Sequence, residues 1–174
     1  MIQPRRFSAG SGDDVELLAG ALNLPRSIIK GLLQEVNRFP HARVSNLRFE
    51  RDSEDGLEVL RLDMQGVNPG VTLRGMSGGE AAGVVLELAT AAARLSGRYV
   101  PTLLVLEEIA AIFVDGFFDK YSHHLLDPGN QFQTLMCLPE KGLNLDNVLW
   151  NGWQIIHTYG ERSQLRFTQG IRAM

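Results

Sequence analysis

Two amphipathic segments begin the patterned part of the chain. Residues 13–22 carry apolar side chains at helical spacing, and the Asp13-Asp14 pair at their start suits the cap of a helix. After Pro25, residues 26–39 carry a denser apolar stripe at the same spacing, formed by Ile28, Ile29, Leu32, Leu33 and Val36. We therefore predict two helices that are separated by Pro25.

The pattern then changes from helical spacing to alternation, which is typical of strands. Val44, Leu47 and Phe49 mark a first strand, and residues 57–64 return as a second strand with Leu60, Leu62 and Met64 on one side. Between them, Asp55-Gly56 supplies the residues that tight turns favour. This region is predicted to be a β-hairpin.

The remaining pattern alternates helices and strands. Residues 80–95 predict the strongest helix, with apolar residues at Ala81, Val84, Val85, Leu88, Ala92 and Leu95 and with Gly97 just past its end. Thr102–Leu106 predicts an apolar strand buried on both faces, followed by a helix over 109–126 and a central strand over 131–138. Short strands follow at 148–150, 154–157 and 164–168. This order predicts an α/β fold with a mainly parallel central sheet and flanking helices.

Composition and charge exclude several classes of protein. The chain has 174 residues, a formal net charge of -3 and 44% hydrophobic residues, which fits one globular domain with no global attraction to nucleic acid. No apolar run approaches the roughly 20 residues that span a bilayer, and no signal peptide is evident, so we expect a cytoplasmic protein. Residues 1–12, with Ser-Ala-Gly-Ser-Gly at their end, predict a flexible segment before a domain over 13–174.

Three further residues have plain structural interpretations. Cys137, the single cysteine, excludes an internal disulfide, and its apolar neighbours predict a buried, inert thiol. His123 and His124 are adjacent and would point about 100° apart on a helix, which disfavours a shared metal ion. We expect them on a solvated helix surface.

The first candidate for chemistry is the turn Ser77-Gly78-Gly79-Glu80, which precedes the long helix. Ser77 and Glu80 have the spacing of a capping box, so the turn is explained in part by helix initiation. Two glycines within a first helical turn are costly, however, and they leave backbone N–H groups unshielded. Such groups at a helix start bind phosphate.

The second candidate is the carboxylate pair Glu107-Glu108, which directly follows the apolar strand 102–106. In open α/β sheets, ligands bind outside the carboxyl ends of the strands. One carboxylate would hold Mg²⁺ and the other would orient or deprotonate an attacking water. The alternative is that both acids start the next helix, where the helix dipole favours them.

In this order, Ser-Gly-Gly-Glu, long helix, apolar strand and acid pair resemble the C-terminal half of ABC-type ATPases, most of all the SMC/RecF/RecN-like branch. The resemblance spans roughly residues 57–168 and implies a P-loop NTPase-like fold. It assigns Ser77, Gly78, Gly79 and Glu80 to the signature motif, which contacts ATP held by the opposite protomer. By the same resemblance, Glu107 takes the metal-binding position of Walker B and Glu108 the catalytic one, with Ala110, Ala111 and Asp115 in the D-loop region.

The chain also departs from that family. Its three lysines, Lys30, Lys120 and Lys141, lie outside any Gly-x-x-x-x-Gly-Lys-Ser/Thr context, so the phosphate-binding Walker A motif is absent. Glu107 stands where the family has aspartate, and the strand over 131–138 ends without the switch histidine. ATP hydrolysis therefore requires a Walker A half from another chain or segment.

Three alternatives follow from this combination of motifs. The chain is the second half of an ATPase whose first half is a separate polypeptide or lies across an omitted coiled coil, or a degenerate subunit that offers its signature to a partner's ATP, or a catalytically inactive ABC-like scaffold. The first two imply ATP and Mg²⁺ as cofactors, a Walker A-bearing homo- or hetero-dimer partner and no membrane. The family resemblance points to DNA repair, chromosome maintenance or anti-phage defence, with DNA reached through the complex.

Overall fold

The computed structural model describes residues 13–39, 42–64, 69–106, 124–127, 129–137, 153–159 and 164–168. Within these residues lie three helices and seven strands. The helices are α1 (Asp14–Leu22), α2 (Arg26–Arg38) and α3 (Gly78–Gly97). The strands are β1 (Val44–Arg51), β2 (Glu58–Met64), β3 (Val71–Thr72), β4 (Thr102–Leu106), β5 (Phe132–Met136), β6 (Ile155–Tyr159) and β7 (Gln164–Thr168).

Both amino-terminal helices form where the apolar pattern predicts them. In α2 the stripe of Ile29, Leu32, Leu33 and Val36 is buried, since residues three and four apart lie on one helix face. Ile28, which the prediction placed on this stripe, is 46% exposed. It lies one position, or about 100°, away from Ile29, so it falls at the margin of the buried face.

The two aspartates at the start of α1 do not cap it as predicted. Asp13 occupies the N-cap position, but its side chain makes no capping hydrogen bond. Its Oδ1 instead accepts the Glu58 backbone N–H at 2.8 Å, and Asp14 Oδ2 accepts the Leu60 N–H at 2.8 Å. Both carboxylates therefore bind α1 to the backbone of β2, and Asp14 is fully buried there.

The predicted hairpin is present and continues into a third strand. β1 pairs with β2 and β2 with β3, all antiparallel. The connection between β1 and β2 closes with the Asp52 N–H donated to the Leu57 carbonyl at 2.8 Å, and Gly56 adopts a φ of 71°. That left-handed conformation favours glycine and explains the Asp55-Gly56 pair.

The hydrophobic core lies around α3, which packs against α1, α2, β4 and β5. Fully buried members from four elements are Val15, Leu18, Ile29, Leu60, Leu62, Val84 and Leu88. The helix runs two residues beyond the predicted range at each end. Gly97 is its last residue rather than the first residue past it, and a Cβ placed there would lie 2.3 Å from the Gln131 carbonyl oxygen. Glycine at 97 therefore permits close backbone contact between α3 and the start of β5.

β4 and β5 form a parallel pair in which Thr102 lies beside Phe132 and Leu106 beside Met136. Leu104 and Leu106 are buried toward α3, but Leu103 is 56% and Val105 38% exposed. The prediction that this strand is buried on both faces is therefore wrong. Cys137, just after β5, is also exposed rather than buried.

The α/β class is confirmed, in a form that is less parallel than predicted. Among the described residues one strand pair is parallel and three are antiparallel, the last being β6 with β7. The segment 1–12, most of the helix predicted over 109–126 and the strand predicted over 148–150 lie outside the described residues. None of the described helices is long and apolar enough to cross a lipid bilayer.

Candidate functional site

The predicted capping box at the start of α3 is complete. Glu80 N–H donates to Ser77 Oγ at 3.3 Å, and Ser77 N–H donates to Glu80 Oε2 at 2.7 Å. These reciprocal bonds satisfy two of the donors that a helix start leaves unpaired. They also lower the pKa of Glu80 through its bonds to the Ser77 backbone and side chain, so the carboxylate is favoured.

Gly78 and Gly79 lie between these two residues and are exposed. A Cβ built on either glycine would meet no atom within 4 Å, and neither has the positive φ that favours glycine. Among the described residues, neither backbone N–H donates a hydrogen bond. Within the part of the chain that the structure describes, the turn therefore presents two N–H donors and the Ser77 hydroxyl on an exposed surface.

The segment before the turn is fixed to the rest of the fold. Leu73–Gly75 forms one 3₁₀ turn, in which Leu73 is buried and the Gly75 N–H donates to Thr72 Oγ1 at 3.3 Å. Arg74 Nε lies 3.1 Å from Oδ1 of the buried Asp14. Ser77 therefore follows a segment that is held by the core and by α1, which is the kind of rigid support that a binding turn requires.

A short connection joins α3 to β4. After α3, the Tyr99 and Val100 N–H groups donate to the Ser96 carbonyl, and Ser96 Oγ lies 3.0 Å from Thr102 Oγ1. The end of α3 therefore lies beside the start of β4, and Glu107 and Glu108 follow β4 directly in the sequence.

Glu107 and Glu108, as well as Ala110, Ala111 and Asp115, lie outside the described residues, and their roles stay predictions.

Sequence reasoning missed a buried polar cluster near the other end of α3. Arg94 is only 8% exposed, its Nε donates to Asn130 Oδ1 at 3.1 Å, and its guanidinium carbon lies 3.4 Å from the centre of the Phe39 ring. Two helical turns before Arg94, Glu87 is also buried, and its Oε1 accepts a hydrogen bond from the Arg43 backbone N–H at 3.1 Å. Burial raises the pKa of Glu87, while that hydrogen bond and the nearby arginines oppose the rise.

His124 belongs to the same cluster, which corrects its prediction as a solvated residue. Its side chain is 14% exposed, its ring meets Phe39 edge-on with centroids 6.0 Å apart, and its Nδ1 lies 3.8 Å from Glu87 Oε1. A signal was present in the sequence. Glu87 and Arg94 are seven residues apart in a helix that is otherwise apolar nearly all round, and charges at such positions are buried only with partners or ligands.

The chain matches no protein-family model and no curated protein sequence.

Proposed function

We propose that this chain provides the phosphate-contacting turn of a composite ATP site, whose nucleotide is bound by a separate Walker A-bearing polypeptide. The observation that carries the proposal is the pair Gly78 and Gly79. The described residues give no reason for glycine at either position, since none of their atoms approaches and no unusual φ is needed. A ligand that contacts the backbone would supply that reason.

The residues of the turn fit a terminal phosphate. The Gly78 and Gly79 N–H groups and the Ser77 hydroxyl would donate to its oxygens, aided by the positive end of the α3 dipole. Glu80 would act indirectly, because its carboxylate holds the Ser77 N–H and so fixes the turn. Ser77, Gly78 and Gly79 would thus bind the phosphate, and Glu80 would position them.

Glu107 and Glu108 are proposed for the metal and the water. Bound ATP would supply the phosphoanhydride bond and Mg²⁺ would supply charge neutralisation. Glu107 would hold the metal and Glu108 would orient or deprotonate the attacking water, as the resemblance implies. Their place directly after β4, at the carboxyl end of a parallel strand, supports these roles.

The sequence has no Walker A motif, so ATP would be bound by a Walker A half from another chain or segment. Three apolar residues of the β4–β5 pair are exposed: Leu103, Val105 and Leu135. This exposure supports a sheet that is completed when the chain associates with a partner. The partner would be a P-loop protein in a homo- or hetero-dimer. We place the complex in the cytoplasm, in DNA repair, chromosome maintenance or anti-phage defence.

A catalytically inactive ABC-like scaffold is the second candidate. It is favoured by the capping box, which is already complete without any ligand and so accounts for Ser77 and Glu80 on structural grounds. It leaves Gly78 and Gly79 unexplained. In this case association with a partner would be independent of nucleotide.

A reconstituted complex distinguishes the two candidates. The partner is first recovered from the native host by affinity capture with ATP and Mg²⁺ and identified by mass spectrometry. ATPase activity of the purified pair is then measured with the wild type, Ser77→Arg and Glu108→Gln. We expect both substitutions to abolish turnover, whereas unchanged turnover would refute the proposed roles.

A further inference from the structure

A second candidate site lies near the C-terminal end of α3, roughly 25 Å along the helix from Ser77. A cavity of about 330 Å³ opens there between α2, α3 and the residues before β5. Its lining includes Arg38, Arg94, Arg98, Glu35, Asp127 and Asn130. This volume is about ten times that of a water molecule, which is enough for a small organic ligand.

Arg94 is the feature that the fold leaves unexplained. Its Nη2 atom is buried and has no hydrogen-bond partner among the described residues, and no carboxylate there lies within ion-pair distance of its guanidinium. A buried charge ordinarily has an ionic partner because desolvation is costly. Burial lowers the pKa of Arg94, and the more distant carboxylates of Glu87, Glu35 and Asp127 oppose this only in part. Arginine nevertheless remains protonated in proteins.

The other charged groups around the cavity define what it would accept. Arg98 forms an ion pair with Glu35, and Arg38 is exposed at the rim. The lining thus contains the three arginines and two carboxylates, Glu35 and Asp127, which leaves one excess positive charge. The guanidinium fork matches planar carboxylate and phosphate oxygens with two parallel hydrogen bonds.

We propose that this cavity binds the oxyanion of a small carboxylated or phosphorylated ligand, with Arg94 as the principal donor and Arg98 and Arg38 in support. The Arg94 guanidinium, which lines the cavity and has no carboxylate within ion-pair distance among the described residues, would donate to the oxyanion. This site is separate from the turn at Ser77 and does not depend on the function proposed for that turn. Either proposal can fail without the other.

Arginine side-chain NMR of the full chain tests the proposal directly. The Arg94 Nε–H signal is followed during titration with sodium phosphate, with sodium acetate and with sodium chloride at matched ionic strength. We expect a saturable shift with phosphate or with acetate but not with chloride, and the active salt identifies the ligand class. If neither phosphate nor acetate produces a saturable shift of the Arg94 signal, the proposal is overturned.

Two variants and a matched control assign the effect to the cavity. Binding by the variants is followed through the Nε–H signal of Arg98, which also lines the cavity. Arg94→Met keeps the length of the side chain, and we expect it to weaken oxyanion binding by roughly tenfold to a hundredfold, the usual effect of losing a charge-assisted bond. Arg38→Met, at the exposed rim, should weaken binding by several-fold while leaving the core untouched. Arg48→Met removes the same charge from the β1 strand and should bind as the wild type does. Wild-type affinity in both cavity variants would overturn the assignment.

Stability in chloride buffer separates a binding residue from a structural one. Replacing an unpaired buried charge with a hydrophobic side chain of similar volume is often neutral or stabilising. We therefore expect the midpoint of thermal unfolding of Arg94→Met to equal or exceed that of the wild type, and phosphate or acetate to raise the midpoint of the wild type alone. A destabilised variant together with a wild type that neither oxyanion stabilises would show that Arg94 is structural.

Discussion

Gly78 and Gly79 at the start of α3 should respond to alanine substitution in the opposite way to Gly97 at its end. Gly78→Ala and Gly79→Ala add a methyl group where no atom lies within 4 Å, whereas Gly97→Ala adds one 2.3 Å from the Gln131 carbonyl oxygen. Alanine restricts the unfolded chain and favours the helix, by about 0.5–1 kcal/mol per residue at compatible sites. Overpacking against backbone costs about 1–3 kcal/mol.

The free energy of unfolding, measured by urea denaturation of the isolated chain, checks these signs. We expect Gly78→Ala and Gly79→Ala each to stabilise by up to about 0.5–1 kcal/mol, and Gly97→Ala to destabilise by about 1–3 kcal/mol. Gly31→Ala in α2 is the matched control, because Gly31 is also exposed with no atom within 4 Å of a new Cβ. It should stabilise by a similar amount.

The same variants separate stability from function. If Gly78 and Gly79 are present for a ligand, their alanine variants should be more stable yet associate less with a nucleotide-bound partner. A substitution that stabilises the fold but weakens function usually marks a functional residue. A loss of stability in Gly78→Ala and Gly79→Ala would refute the reasoning, because it would mean that the fold itself requires these glycines.

Three further results are expected. Asp14→Ala should lower the free energy of unfolding, measured in urea, by about 3 kcal/mol, because the buried Leu60 N–H and the Arg74 guanidinium lose the carboxylate that accepts their hydrogen bonds. A loss below about 1 kcal/mol would contradict this expectation. Ser77→Ala should cost about 1 kcal/mol through loss of the cap, and an unchanged urea midpoint would show that the box contributes nothing. The lowered pKa of Glu80 adds stability above its usual value of 4.5 that is lost as pH falls below it. Glu80→Gln, which keeps an acceptor for Ser77, should therefore show a shallower loss of stability on acidification, and an identical pH profile would exclude this contribution.

Local patterns predicted the elements whose bounds depend on local chemistry. The strands Thr102–Leu106 and Gln164–Thr168 form over the predicted ranges, and α2 ends one residue early. The capping box was visible because its two partners are only three residues apart. Periodicity and capping act within a few residues, so the sequence carries them directly.

Features that depend on distant contacts were not predictable in the same way. An unbroken apolar run does not tell which face of β4 is covered, so the exposure of Leu103 and Val105 could not be predicted. Asp14 accepts a hydrogen bond from Leu60, 46 residues away, instead of capping its own helix. Arg94 meets Phe39 and Asn130, which reach it from two other parts of the chain. Such sites arise only when the elements pack.

We propose that the turn at Ser77–Glu80 contacts the phosphate of a nucleotide bound by another polypeptide. The most direct test is affinity capture of the partner by the wild type, the Gly78→Ala/Gly79→Ala double variant and Gly31→Ala, each with and without a non-hydrolysable ATP analogue and Mg²⁺. We expect the wild type and Gly31→Ala to capture a P-loop protein more strongly with nucleotide, and the double variant to lose this gain. Capture that is equal with and without nucleotide, or a double variant that behaves as the wild type does, would contradict it.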